Sequence, residues 1–102
     1  MSNLDAILKL KKALSDKYGV SFSRLLVFGS VARGDDTAES DVDVMVEMRI
    51  PVDWKLKEDI ISIAYDVELD TGVMFETFAR QIPFKGPMTP FEENLDRDGV
   101  AV

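Results

Sequence analysis

The sequence predicts an α/β (α+β) domain: a small mixed sheet of three to four strands packed with two long helices and a short C-terminal helix. Three observations predict it. Two long segments, residues 4–18 and 53–70, carry apolar residues at helical spacing. Three short runs, residues 24–28, 41–47 and 73–79, carry strand patterns. The stretch Thr89-Pro90-Phe91-Glu92 has the form of a helix start. A chain of 102 residues has room for one small core, so a single domain spanning residues 1–102 is expected.

In the first segment Leu4, Ile7, Leu8, Leu14 and Tyr18 form the apolar stripe, with Lys9, Lys11, Lys12 and Asp16 off it. Ser2 or Asn3 can cap its start, and Gly19 stands where a helix stops. Arg24-Leu25-Leu26-Val27-Phe28 is a short apolar run, suited to a strand buried on both faces, and it halts at Gly29-Ser30. Residues 31–34 can hold one helical turn closed by Gly34, and residues 35–40 read as a polar loop. Residues 41–47 then alternate strictly. Val42, Val44 and Val46 take one face; Asp41, Asp43, Met45 and Glu47 take the other.

Pro51 breaks the chain after that strand. In the second helix Trp54, Ile60, Ile61, Ala64 and Val67 form the expected buried stripe, and Gly72 lies just past the end. Residues 73–79, rich in Val, Phe and Thr, read as the third strand. Pro83, Gly86, Pro87 and Pro90 mark a loop. Thr89 at N-cap, Pro90 at the first helical position and Glu92 three residues after Thr89 make a capping box for the last helix, which Gly99 ends. Residues 100–102 can add a short terminal strand.

Composition narrows the chemistry. Lys plus Arg number 12 and Asp plus Glu 19, for a net charge of -7. Such a surface repels phosphate polymers, which argues against general nucleic-acid binding. There is no Cys and no His, which excludes disulfides, zinc sites built on Cys or His, Cys nucleophiles and a Ser-His-Asp triad. Any metal must be held by oxygen, which points to Mg²⁺, Mn²⁺ or Ca²⁺. No targeting signal and no membrane-length apolar run is visible, so a cytoplasmic protein with no membrane partner is expected.

The informative segments are Phe28-Gly29-Ser30-Val31-Ala32-Arg33-Gly34 and Ser40-Asp41-Val42-Asp43. A strand that ends in Gly-Ser and enters a helical turn gathers several backbone N–H groups at one point. Gly29 lets the backbone approach a ligand closely, and Ser30 adds a hydroxyl; together they suit phosphate oxygens. Asp41 and Asp43, two apart on a strand, project from one face. Side by side they repel unless a cation lies between them, and they can hold one divalent ion or two that share ligands. Each signal alone is common in plain turns and solvated strand faces. Their conjunction, on successive strands, is not.

At these residues the chain resembles the minimal nucleotidyltransferases of the DNA polymerase β superfamily. The likeness is carried by Gly29-Ser30-Val31-Ala32-Arg33-Gly34 with Ser40-Asp41-Val42-Asp43, covers residues 24–47 most closely, and extends to the ending Thr89 to Val100. The resemblance implies a nucleotidyltransferase fold. It also implies metal-dependent transfer of a nucleoside monophosphate, AMP from ATP or the equivalent from another NTP, to a hydroxyl. In that family's arrangement Gly29 and Ser30 hold the β- and γ-phosphates, and Asp41 and Asp43 hold two Mg²⁺ ions, with Mn²⁺ as the alternative.

The family often has a third carboxylate on the following strand, and Glu76 stands there. Its alternation partners Met74, Phe78 and Arg80 leave it on a largely apolar face, which is odd for a core strand and suits a third catalytic and metal-binding carboxylate. The family usually has Asp; Glu moves the carboxylate by about 1.5 Å. An exposed edge position is the other reading of Glu76. Arg33 either contacts the triphosphate or pairs with Asp35 or Asp36 at the surface. Glu47, further along the aspartates' face, is expected to be solvated. Tyr18, Tyr65 and Ser40 are read as packing or loop residues, and Trp54 as packing at its helix start.

Two functions follow. Small proteins of this family resemble the antitoxin half of toxin–antitoxin modules whose partner is a HEPN-type toxin, the acceptor being a tyrosine of the toxin. In 102 residues no room for an added substrate-binding domain is expected, which favours a protein partner over a drug or a primer strand. The alternative is a catalytically weak or inactive module that binds the nucleotide or the partner.

Overall fold

The computed structural model describes residues 3–29, 41–84 and 86–102. Helix α1 (Asn3–Tyr18) leads through a short 3₁₀ turn into strand β1 (Phe22–Phe28). Strand β2 (Val42–Met48), helix α2 (Trp54–Thr71), strand β3 (Phe75–Gln81), helix α3 (Pro90–Asp98) and strand β4 (Val100–Ala101) follow. The strands form one sheet in the order β3-β2-β1-β4. It is mixed, as expected: β1 is antiparallel to β2 and to β4, while β3 is parallel to β2. Parallel neighbours need a crossover, and α2 supplies it. The predicted turn at 31–34, the loop at 35–40 and the cap at Ser2 lie outside the described residues.

Local chemistry sets the ends of α2 and α3. The Asp53 side chain accepts from Leu56 N at 2.8 Å and starts α2; Gly72, at φ +75°, closes it in the left-handed conformation that L side chains disfavour. The Thr89 hydroxyl accepts from Glu92 N at 3.2 Å and starts α3, with Pro90 just inside. The Glu92 carboxylate, which a capping box would turn back towards Thr89, instead reaches Arg80.

Two apolar clusters sit on opposite faces of the sheet. The larger joins Ala6, Ile7, Leu10 and Leu14 of α1 and Leu56, Ile60, Ala64 and Val67 of α2 to Leu25, Val27, Val42, Val44 and Val46 of the sheet. A bulge between Phe22 and Arg24 lets Phe22, three residues before Leu25, join this face and lets β1 begin two residues earlier than its apolar run. The second cluster, Leu26, Met45 and Leu95 with Phe28 and Phe78, lies under α3. Phe28, Phe78 and Phe91 close it as an aromatic triangle, with ring centroids 5.6 to 5.7 Å apart.

Three expectations about burial are corrected. On α1 the buried stripe is Ala6, Ile7, Leu10 and Leu14, while Leu4 and Leu8 are exposed. On α2 Leu56 is buried, but Trp54 and Ile61 are 71% and 57% exposed, because they lie round the helix from the stripe that Leu56, Ile60, Ala64 and Val67 fix against the sheet. Glu47 is not solvated. It is fully buried, held by Arg24 and by Arg80, whose NH2 lies 2.6 Å from Oε2. The covering helix α3 makes the difference: it shields the aspartates' face at Glu47 and adds Glu92 and Asp96 to the Arg80 guanidinium. Burial alone would lower the Arg80 pKa, but the hydrogen bond and charge of Glu47, with the hydrogen bonds of Asp96 and Glu92, hold it above its ordinary value.

Candidate active site

The apolar run of β1 ends at Phe28, and the chain then turns at Gly29 with φ +75°. Phe28 is the register partner of Asp43 on β2. The turn therefore brings Gly29 directly against the Asp43 side chain, so closely that a Cβ at Gly29 would overlap the carboxylate at Oδ2 and approach Cγ to 3.1 Å. The left-handed φ favours glycine there, and a larger residue would also have to push the Asp43 carboxylate aside. The small-residue bend and the second aspartate of Asp41-Val42-Asp43 thus meet.

The parallel ladder places the next acid. Asp43 on β2 is the register partner of Glu76 on β3. Parallel register partners side by side on one face stand about 4.8 Å apart across the sheet. Glu47 and Arg80, four residues further along the same two strands, are also register partners and do touch, which fixes the face that Asp43 and Glu76 share. Glu76 is exposed and β3 is an edge strand, as the edge reading expected, and its register also sets it beside Asp43. Asp41 is exposed and lies just before β2, with the ladder held at that end by Val42 N donating to Met74 O at 2.9 Å. Ser30 and Arg33 lie outside the described residues.

The donors suit a hard cation. They are carboxylate oxygens, and the carboxylate of Asp43 lies directly against the turn at Gly29. Among the described residues, however, no three acidic side chains converge closely enough to hold a metal ion. The backbone aligns Asp43 and Glu76; the described side chains do not form a closed cage.

A feature with no signal in the sequence lies on the other flank of the turn. Helix α3 passes the end of β1 and leaves a cavity of about 310 Å³ between Phe28, Gly29, Phe91, Asn94 and Arg97. The capping box foretold the helix, but nothing in the pattern foretold which strand it would cover. Among the described residues no helix is long and apolar enough to cross a membrane.

Comparison with known proteins agrees with this geometry. Residues 7–94 match the family described as "Nucleotidyltransferase domain". A protein of Methanocaldococcus jannaschii named "Putative protein adenylyltransferase MJ0141" is 31% identical over 102 residues, covering all of both chains. Among solved structures, a toxin–antitoxin crystal structure with AMP-PNP superposes with a TM-score of 0.67 at 16% identity, over 98% of this chain and 72% of that one. A mutant of the toxin–antitoxin MntA-HpeT superposes with a TM-score of 0.66 at 14% identity, over the same shares.

Proposed function

This chain belongs to the nucleotidyltransferase domain family, and on that premise we propose that it is a metal-dependent protein adenylyltransferase. It moves AMP from ATP to a hydroxyl on a partner protein, as the antitoxin of a module with a HEPN-type toxin. The single observation that carries the reading is the contact of Gly29 with Asp43. A left-handed strand-end turn stands directly against an acid of the Asp-x-Asp pair, where a triphosphate tail and a cation would have to meet.

Asp41 and Asp43 would hold the divalent ions, Mg²⁺ or Mn²⁺; bound there, the ions supply charge neutralisation on the triphosphate and a lowered pKa for the acceptor hydroxyl. The chain itself does the rest. The backbone at Gly29, continued by Ser30, grips the β- and γ-phosphates, and Arg33 adds a positive charge to them. The acceptor oxygen forms a bond to the α-phosphorus while the bond from that phosphorus to the bridging oxygen breaks, releasing pyrophosphate. Glu76, beside Asp43 and open to solvent, takes the hydroxyl proton onto its carboxylate. An acidic chain of net charge -7 attracts a triphosphate weakly by itself, which is why the reading requires a cation. Adenine and the protein acceptor rest on the likeness to the M. jannaschii relative and to the toxin–antitoxin structures.

One observation favours a second reading, a module that binds the nucleotide or the partner without turnover: among the described residues no three acids are placed to hold a metal ion. One experiment separates the two. The chain is incubated with its toxin partner, ATP and Mg²⁺, and intact masses are measured. A gain of one nucleoside monophosphate on the partner supports transfer. Mg²⁺-dependent ATP binding by calorimetry with no mass gain supports the binding module. A chain that binds no ATP in the presence of Mg²⁺ overturns the enzyme reading.

A further inference from the structure

The cavity between the end of β1 and α3 shares Gly29 with the candidate active site. At about 310 Å³ it lies at the lower end of the range for small-molecule sites. Its walls hold one acid, Asp98, beside Arg97, the Asn94 amide and the rings of Phe28 and Phe91. Phe91 is partly exposed, yet its ring is fixed by Phe28 and Phe78, so it offers an apolar surface that is already ordered. Beside it the Asn94 amide is held through Oδ1, which accepts from Arg97 NH2 at 2.5 Å. That bond takes one of the amide oxygen's two lone pairs and leaves the amide nitrogen as a donor. Arg97 in turn has Asp98 at 3.5 Å, an exposed pair that only partly offsets its charge.

An ion-paired arginine, an amide donor and a fixed aromatic ring suit an uncharged, flat, hydrogen-bonding group better than a phosphate. Resting on the nucleotidyltransferase reading, we infer that this cavity takes the nucleoside half of the NTP, with the base against Phe91 and its edge read by Asn94. Phosphates at Gly29 and a base in this cavity belong to one ligand, because Gly29 lines both. Arg97 is a positioning residue: it fixes the rotamer of Asn94 and so decides which base edge is accepted. The base preference, for which no motif in the sequence speaks, is then set by α3.

The test is calorimetry on the full chain with Mg²⁺, titrating ATP, GTP and inorganic tripolyphosphate into the wild type, Asn94→Ala and Arg97→Ala. Asn94 and Arg97 are exposed, so both variants are expected to fold. The expected result is that Asn94→Ala weakens ATP about tenfold and narrows the difference between ATP and GTP, while tripolyphosphate binds as before. Arg97→Ala is expected to narrow the same difference, since Asn94 loses its anchor. ATP affinity and base preference unchanged in both variants would overturn the inference, as would equal weakening of ATP and tripolyphosphate. A wild type that binds tripolyphosphate and gains nothing from the nucleoside overturns this inference and leaves the transferase reading standing. A wild type that binds neither overturns both.

Discussion

Glu47 and Arg80 are register partners on parallel strands and form an ion pair almost wholly withdrawn from water, with side-chain exposures of 1% and 9%. The pair links the sheet to α3, because the same guanidinium also meets Glu92 at 2.5 Å and Asp96 at 3.3 Å. Removing Glu47 leaves the buried Arg80 with only its partners on α3, Glu92 and Asp96. Glu47→Met is therefore expected to lower the unfolding free energy by about 3 kcal/mol in urea denaturation. The double variant with Arg80→Met also takes the guanidinium from Glu92, whose side chain is 13% exposed, and is expected to lose more than Glu47→Met alone. A double variant no worse than the single would show that Arg80 is not the element that fastens α3.

Gly29→Ala tests the close approach to Asp43. The new Cβ would need the space of the carboxylate, and the backbone would need to leave φ +75°. The expected outcome is a fall in AMP transfer on the order of 10²-fold, from misplacement of the turn relative to Asp43. Stability should change by only about 1–3 kcal/mol, read in the same denaturation. Transfer that survives Gly29→Ala would remove the turn from the site.

These two contacts show why the sequence was legible in part. Strict alternation along 41–47 assigned the core face of β2 correctly, because Val42, Val44 and Val46 leave no ambiguity of phase. The helices were harder. Apolar residues lie on more than one side of α1 and α2, so spacing alone admits a stripe through Leu4, Leu8, Trp54 and Ile61 that the packed sheet does not use. Asp41, Asp43 and Glu76 were legible as acids on successive strands. The Asp43–Glu76 alignment was not, since register belongs to the strand pairing and not to either strand. Glu47 was misread for a similar reason: its burial comes from α3, nearly fifty residues further along the chain.

Tyr18 carries a stability prediction with a pH signature. Its hydroxyl is buried without a hydrogen-bond partner. Burial, helped by the charge of Asp59, pushes its pKa above the ordinary 10.0. Above that pH the unfolded chain releases the phenol proton while the folded chain still holds it, so stability falls as pH rises through the folded value; below pH 10 nothing is lost. Tyr18→Phe removes the orphan hydroxyl. It should match the wild type or exceed it by about 1 kcal/mol at pH 7, and it should show a shallower loss of melting temperature above pH 10. A Phe variant that is less stable at pH 7 would mean the hydroxyl has a partner in solution.

The last prediction separates the acids by what each does. Asp43 faces the turn where the phosphates would lie, and Glu76 stands beside it on the exposed edge strand. If Asp43 holds the cation that joins chain and triphosphate, Asp43→Asn removes a full charge from that bridge, and Mg²⁺-dependent ATP binding should weaken at least tenfold in calorimetry. If Glu76 takes the proton, Glu76→Gln should leave ATP binding within about twofold, yet slow transfer by about 10²–10⁴-fold. Glu76→Asp, with a carboxylate one methylene shorter, should recover part of that rate, because charge and basicity are kept while reach is lost. Equal loss of binding in Asp43→Asn and Glu76→Gln would make Glu76 a cation ligand rather than the base. Full activity of Glu76→Gln would make its place beside Asp43 a consequence of strand register alone, with the proton leaving to water.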